Sequence, residues 1–425
     1  MTMRGDKLFF KTAAAGPGEL LNKVCDALAT PRLHFLDIDL PAYGVFVCLG
    51  GAAGLVMTFV IAISIRLPPA PLFIAAVGGI FVALTFAYLT KVVTGTEVYT
   101  FYHYQIAVLA GAGMLLWLVG EPPLRNIDVL TLSLGLTQAI GRIGCFGAGC
   151  CYGRPRRFGV CYNRRHASIG FPSSLVGVRL FPIQLVESCW IAIVVSSGIL
   201  SIVRGAAPGS ALAWYVVLYG SGRFIFEFLR LDTGFVPGKL SEAQITSLTL
   251  ILAVVCAELR GLLVMESVHL ICVALLIASA CAIRMLRKRE IPFSASHVFE
   301  IAEAVQRAER DMTSSPELER IAVEQTSRGV LISAGRIPRG ANSFSQPRDT
   351  RHQIAVTSHL YPVTPTLSLL TSPGSYSSIF HYCVSGAEIG ERSALAVARL
   401  IGRLRCGSGS FSLFEGDQAF HVIID

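Results

Sequence analysis

The feature that most limits what this chain can fold into is a series of long runs without a single charge. Residues 43–65 and 69–90 hold no Asp, Glu, Lys or Arg, and neither do the shorter runs 104–120, 206–222, 243–257 and 267–283. Two more apolar runs, 127–141 and 183–203, each hold one acid near the start, Asp128 and Glu187. A helix needs about 20 mainly apolar residues to cross a bilayer. A soluble core has no use for so many helices that are apolar on every side. Charged residues make up 15% of the chain, against about 25% in soluble domains, and the mean hydropathy is +0.59. The sequence therefore predicts an all-α polytopic membrane protein with seven or eight transmembrane helices.

Residues 1–40 read as an N-terminal tail. They do not read as a signal peptide, because Lys11 interrupts Leu8-Phe9-Phe10 before the apolar stretch reaches about 7 residues. Composition changes again at Arg287-Lys288-Arg289-Glu290. The expected division is a tail at 1–40, a membrane domain at 41–265, an extra membrane helix with a basic stop at 266–289, and a polar extension at 290–425. Within the extension, Ser315-Pro316-Glu317 predicts a helix start, with the helix running to Ser327 and stopping at Gly329. A strand is expected at 330–333, and a Ser-, Thr- and Pro-rich loop or disordered linker at 342–378. An amphipathic helix at 391–405 carries Arg392, Arg399 and Arg403 on one stripe, and 411–414 with 420–424 suggests a hairpin. A small α+β or partly disordered extension is the expectation.

Charges inside membrane helices cost roughly 2.5–3.5 kcal/mol each on insertion scales and persist where they face a polar cavity. Arg223, Glu227 and Arg230 are spaced i, i+4 and i+7, which on a helix sets a carboxylate between two guanidinium groups. Such a face keeps spare donors for an anion; the structural alternative is a snorkelling helix end. A second set is glycine-rich: Gly141, Gly144, Gly147, Gly149 and Gly153, flanked by Arg142 and Arg154. These glycines are expected to break a regular helix and let backbone N–H groups approach a phosphate; the alternative is glycine used for packing alone. His103, in Phe101-Tyr102-His103-Tyr104, sits at the mouth of a span, either as a structural hydrogen-bonder or as a base. Pro182, Gln184 and Glu187 place polar groups at another span entrance. Cys145, Cys150, Cys151 and Cys161 crowd the glycine-rich stretch without a metal-ligand spacing. A disulfide, free thiols and metal or thiol chemistry are the alternatives for them; the arginine-rich site itself is expected to hold no metal. The net charge of +8 comes with no nucleic-acid motif, so an anionic head group is the expected counterpart rather than nucleic acid.

Together these stretches resemble the bacterial phosphatidylglycerol–prolipoprotein diacylglyceryl transferases, over about residues 40–265. The resemblance rests on Tyr43-Gly44, His103, then Gly141-Arg142-Ile143-Gly144 with Phe146, Gly149 and Tyr152-Gly153-Arg154-Pro155. It continues with Pro182, Gln184, Leu185 and Glu187, with Tyr219, Gly220, Arg223, Phe224, Glu227 and Arg230, and with Leu240, Ser241 and Gln244. The chain departs from the family signature where two Asn and a Glu are Cys145, Ala148 and Cys150. It departs again where the Gly-Gly after the His is Tyr104-Gln105.

The resemblance implies transfer of the diacylglyceryl group from phosphatidylglycerol to the lipobox cysteine thiol of prolipoproteins, with glycerol phosphate departing. It implies a multi-pass protein of the bacterial cytoplasmic (inner) membrane, whose partners are phosphatidylglycerol, prolipoprotein signal peptides and membrane lipids, without a cofactor. His103, Arg142, Arg223 and Glu227 would be catalytic. Tyr43, Gly144, Gly149, Tyr152, Gly153, Arg154, Gln184, Glu187 and Arg230 would bind substrate. The rival expectation is a non-lipidating paralogue that binds or moves a phospholipid or another anionic ligand.

Overall fold

The computed structural model describes residues 8–11, 19–35, 38–95, 101–232, 240–289, 295–314, 323–327, 329–338, 378–385, 389, 391–404, 411–415 and 419–424. It falls into two compact units, residues 15–303 with 399–408, and residues 1–14 with 304–398 and 409–425. The expected linker at 342–378 lies almost wholly outside the described residues.

The larger unit is helical. A short helix α1 (Glu19–Leu28) leads through a two-stranded ribbon, β2 (Arg32–Phe35) and β3 (Ile38–Pro41), into α2 (Ala42–Ser64). Next come α3 (Pro69–Thr94), α4 (Phe101–Leu118) and α5 (Pro123–Ala148). An excursion follows, made of β4 (Pro155–Cys161), α6 (Arg164–Ala167) and β5 (Arg179–Leu180). The last helices are α7 (Ile183–Val203), α8 (Ser210–Phe226), α9 (Glu242–Leu259), α10 (Ser267–Arg289) and α11 (Ala295–Ser314), the last running on into the second unit. Five of them, α2, α3, α5, α7 and α9, are long and apolar enough to cross a membrane. Every apolar run read from the sequence is a helix. α10 packs on α8 and α9, with Leu276 meeting Phe224 and Ile251.

α5 is the axis of this unit. It packs against α2, α4, α7 and α8, and 67% of its apolar window is buried, against 28% in α2 and α3. Those outer helices instead expose Val56, Val60, Ile74, Phe81 and Leu84, side chains that suit hydrocarbon and not water. The one acid early in α5 has a structural role. Asp128 accepts from the backbone N–H of Gly209 (2.7 Å) and of Leu212 (2.8 Å), which satisfies donors that the first turn of α8 cannot satisfy within the helix.

The expectation that the glycine-rich stretch breaks the helix is overturned. α5 continues through Ala148 and ends only at Gly149, whose φ of 78° forms a left-handed cap. Gly144 and Gly147 are contact positions: a Cβ on Gly144 would fall 2.8 Å from Phe46, and one on Gly147 would fall 3.1 Å from the Thr30 carbonyl. Small residues that let helix backbones approach are how membrane helices pack without a hydrophobic driving force between them. Gly153 lies beyond the helix and lets the chain pass against the backbone of Phe181.

The smaller unit is a six-stranded antiparallel sheet in the order β1 (Leu8–Lys11), β9 (Phe411–Glu415), β10 (Phe420–Ile424), β8 (Ser378–Ser385), β7 (Leu331–Pro338), β6 (Val323–Gln325). Strand alternation puts Tyr382, Val384, Val422 and Ile424 on one buried face. Glu309 on α11 accepts a hydrogen bond from Tyr382 on that side (2.5 Å). The hairpin, the strand after Gly329 and the amphipathic helix, α12 (Glu391–Leu404), form where the sequence expects them. The helix expected to run from Pro316 to Ser327 does not: Val323–Gln325 is strand β6, paired with β7. Its first residues lie outside the described set. Val323 and Leu331 begin a paired edge, and ladder hydrogen bonds outweigh a local capping signal.

Candidate active site in the helical unit

The site is a buried chain of polar side chains that crosses four helices. Gln105 on α4 donates through Nε2 to Gln138 Oε1 on α5 (2.9 Å) and to the Tyr215 hydroxyl on α8 (3.3 Å). Tyr215 donates to the same Gln138 oxygen (2.8 Å). Gln138 Nε2 donates to the Tyr219 hydroxyl, and Tyr219 donates to Glu187 Oε1 on α7 (3.2 Å). Arg142 Nη2 closes the chain on that same oxygen at 2.9 Å. Every one of these residues is buried. In a hydrocarbon setting such a network persists only when its members satisfy one another.

Helix geometry explains the convergence. Gln138 and Arg142 are four residues apart on α5, as are Tyr215 and Tyr219 on α8, so each pair shares a face. The Tyr215 ring lies against Gly135, where a Cβ would fall 2.7 Å from it. Glu187 is the hub. It stands within electrostatic reach of Arg142, Arg223 and Arg230. Arg142 keeps its Nε buried and without a hydrogen-bond partner among the described residues.

Arg223 pairs with Glu227 at 2.6 Å, as the spacing predicts. Arg230 does not continue that helical face. α8 ends at Phe226, and the chain then lies along the residues after α5: Arg154 N donates to Leu229 O (2.9 Å), Leu231 N donates to Tyr152 O (3.1 Å), and Gly153 bridges Arg230. Arg230 instead forms a two-pronged pair with Asp232, at 3.1 and 2.7 Å. Asp232 was not singled out from sequence; it stands two residues beyond the expected motif. Arg154 donates Nε–H to the Phe228 carbonyl (3.1 Å), so it ties this crossing together.

The remaining expected residues have contacts of their own. Tyr43 opens α2, with its backbone against Gly144. Gly149 backs onto the rings of Tyr162 and His166. Tyr152 packs edge-on against Phe171 at 5.3 Å. Gln184 donates to the Cys150 carbonyl (2.7 Å) and to Tyr162 (3.2 Å), and its own carbonyl oxygen is buried without a hydrogen-bond partner among the described residues. His103 pairs with Glu242 at the start of α9, Nε2 to Oε1, at 3.2 Å. The thiols of Cys145, Cys150 and Cys151 lie within 4.8 Å of one another and are not joined as disulfides. Cys161 stands apart from them, with its thiol on the Gly177 carbonyl at 3.4 Å. β4 carries it away, and Asp26 of α1 accepts from its backbone N–H.

A helical membrane protein with arginine–carboxylate pairs buried between its helices is the class that this fold and site define. The sequence model of the prolipoprotein diacylglyceryl transferase family matches residues 32–259, and the chain belongs to that family. It is similar to the phosphatidylglycerol–prolipoprotein diacylglyceryl transferase of Clostridium tetani, 34% identical over 127 residues, which cover 29% of this chain and 49% of the relative. It is also similar to the enzyme of that name from Symbiobacterium thermophilum, 34% identical over 154 residues, covering 34% of this chain and 54% of the relative. The second such enzyme of Clostridium perfringens is 32% identical over 135 residues, covering 30% and 49%. The chain thus spans about half the length of the curated relatives it matches.

Proposed function

We propose that this protein transfers the diacylglyceryl group of phosphatidylglycerol to the lipobox cysteine of prolipoproteins, in the bacterial cytoplasmic membrane. The observation that carries the reading is the convergence of Arg142 and Arg223, each on a buried carboxylate, inside a chain of this family. A carboxylate partner holds a guanidinium in place and leaves other N–H groups for an anion. Arg142 Nε, which has no hydrogen-bond partner among the described residues, is such a group. On this reading α4 and α8 complete a seven-span bundle with the five longer helices, and α10 adds an eighth.

The chemistry is a displacement at carbon. The substrate thiolate forms a C–S bond to the glycerol carbon that carries the phosphate, the C–O bond breaks, and glycerol phosphate leaves with the electron pair. A free thiol has a pKa of about 8.5, so its proton must go to a base. His103 takes it, held by Glu242. Arg142 and Arg223 stabilise the negative charge on the departing phosphate, and a fixed donor in a water-poor site is worth far more there than in water. Glu187 and Glu227 position the two arginines. Tyr43, Gly144, Gly149, Tyr152, Gly153, Arg154, Gln184 and Arg230 shape the head-group pocket.

The test is the purified full chain with phosphatidylglycerol and a lipobox peptide, followed by mass spectrometry. The expected product is a peptide heavier by one diacylglyceryl group, lost in Arg142→Ala and in Arg223→Ala. Full transfer by either folded variant would refute the phosphate-cradle assignment.

A further inference from the structure

Outside the helical unit, one cluster has a composition that neither the sheet nor lipid chemistry requires. His381 and Cys383 stand two residues apart on β8, so they share a face. The register sets His421 of β10 directly opposite Cys383, and Ser333 of β7 opposite Cys383 from the other side. This face is the partly open one; the residues between them, Tyr382 and Val422, are fully buried on the reverse. The three donor atoms converge. His381 Nε2 is 3.0 Å from His421 Nδ1, and Cys383 Sγ is 3.7 Å from the first and 3.4 Å from the second.

Those spacings fit a metal ion. Zinc binds imidazole nitrogen at about 2.0–2.1 Å and thiolate at about 2.3 Å in tetrahedral sites, so two nitrogens on one ion stand about 3.3 Å apart, and nitrogen and sulfur about 3.5 Å. The two nitrogen–sulfur distances bracket their value, and the nitrogen–nitrogen distance of 3.0 Å is shorter than its own, so the two rings part slightly to admit the ion. The Ser333 hydroxyl hydrogen-bonds Cys383, the kind of outer contact that steadies a metal-bound sulfur. Opposite His381 is Gly335, where an added Cβ would meet nothing nearer than 3.9 Å. Among the described residues, space is therefore left beside the triangle for a fourth ligand. Two imidazoles with one thiolate favour zinc over the hard cations, which take oxygen.

We propose that His381, Cys383 and His421 form a zinc site on the open face of the C-terminal sheet, with a fourth coordination position available to water or another donor. Both rings enter as neutral imidazoles and Cys383 as a thiolate, so binding releases the thiol proton. The site joins two strands already paired, so it adds little to the fold. It gives the extension a ligand-binding function separate from the membrane chemistry.

The test uses the full chain in detergent under reducing conditions, stripped of metal and titrated with Co2+ as a spectroscopic probe, then with Zn2+ as competitor. The expected result is a thiolate-to-cobalt charge-transfer band that saturates at one ion per chain and is abolished by Zn2+. Cys383→Ser should lose the band, and His421→Asn should weaken Co2+ binding. A Cys145→Ser/Cys150→Ser/Cys151→Ser variant should keep the band, which separates this site from the cysteine cluster at the end of α5. An absent band in the unsubstituted chain, or one that survives Cys383→Ser, would overturn the proposal and leave the cluster as a hydrogen-bonded triad only. Loss of the band in the triple serine variant alone would overturn it as well.

Discussion

At the residue scale, Glu187 decides how the buried site is built. One oxygen takes both the Arg142 guanidinium and the Tyr219 hydroxyl, so its removal strands a buried cation and breaks the polar chain at its hub. Breaking one partner of a buried ion pair costs about 3–5 kcal/mol, and Glu187→Ala should lower unfolding stability in detergent by that order, read by thermal melting. Gln105 is a second informative residue. It is bonded to Gln138 and Tyr215. His166 supplies a pH dependence. Its ring is enclosed between the Asn163 side chain and the Gly147 carbonyl, and burial pushes its pKa below the ordinary 6.5. The unfolded chain therefore binds a proton more readily than the folded one. Its contribution is fully present above about pH 6.5 and is lost as pH falls below it. Melting temperature should decline with acidification across that window, with a shallower slope in His166→Asn; an identical slope would remove His166 as the cause.

At the element scale, the contact between α2 and α5 depends on small residues. A Cβ on Gly50 would lie 2.7 Å from the Thr137 carbonyl, and Gly144 faces Phe46 at 2.8 Å. Overpacking a tight contact costs typically about 1–3 kcal/mol. Gly50→Leu should destabilise by at least that much in thermal melts, whereas Gly51→Leu, where an added Cβ meets nothing within 4 Å, should be nearly neutral. Asp128→Ala removes the acceptor at the start of α8 and should cost about 2 kcal/mol, the worth of a hydrogen bond to a charged group. These elements also show what the sequence makes legible. Apolar runs located the helices because a membrane span must be apolar along its whole length. The glycine run did not reveal its role, because the same residue serves a turn in one setting and a close helix contact in another. The Arg223–Glu227 pair was readable because it is local. Arg230 was not, because its position is fixed by Gly153, far away in sequence. The network of Gln105, Gln138, Tyr215 and Tyr219 carries no charge, so a search for charges within spans passes over it. The usable signal was two amides and two hydroxyls placed on otherwise apolar helices.

At the scale of the whole molecule, a family core at residues 32–259 is joined to a sheet that gathers strands from both ends of the chain, β1 with β9. The two proposed roles are separate: lipid-phosphate chemistry in the helical unit, metal binding in the sheet. Cys383→Ser should therefore leave diacylglyceryl transfer within about twofold of the unsubstituted chain, an ordinary outcome for sites with no shared partners. The central claim is that a C–S bond forms as the lipid's C–O bond to phosphate breaks. It is tested most directly with phosphatidylglycerol carrying one label in an acyl chain and another in the terminal glycerol, presented with a lipobox peptide to the full chain in proteoliposomes. The expected result is the acyl label on the peptide through an alkali-stable thioether, and the glycerol label released as glycerol phosphate in equal amount. An unmodified peptide in the presence of folded protein, or both labels on the peptide, would contradict it.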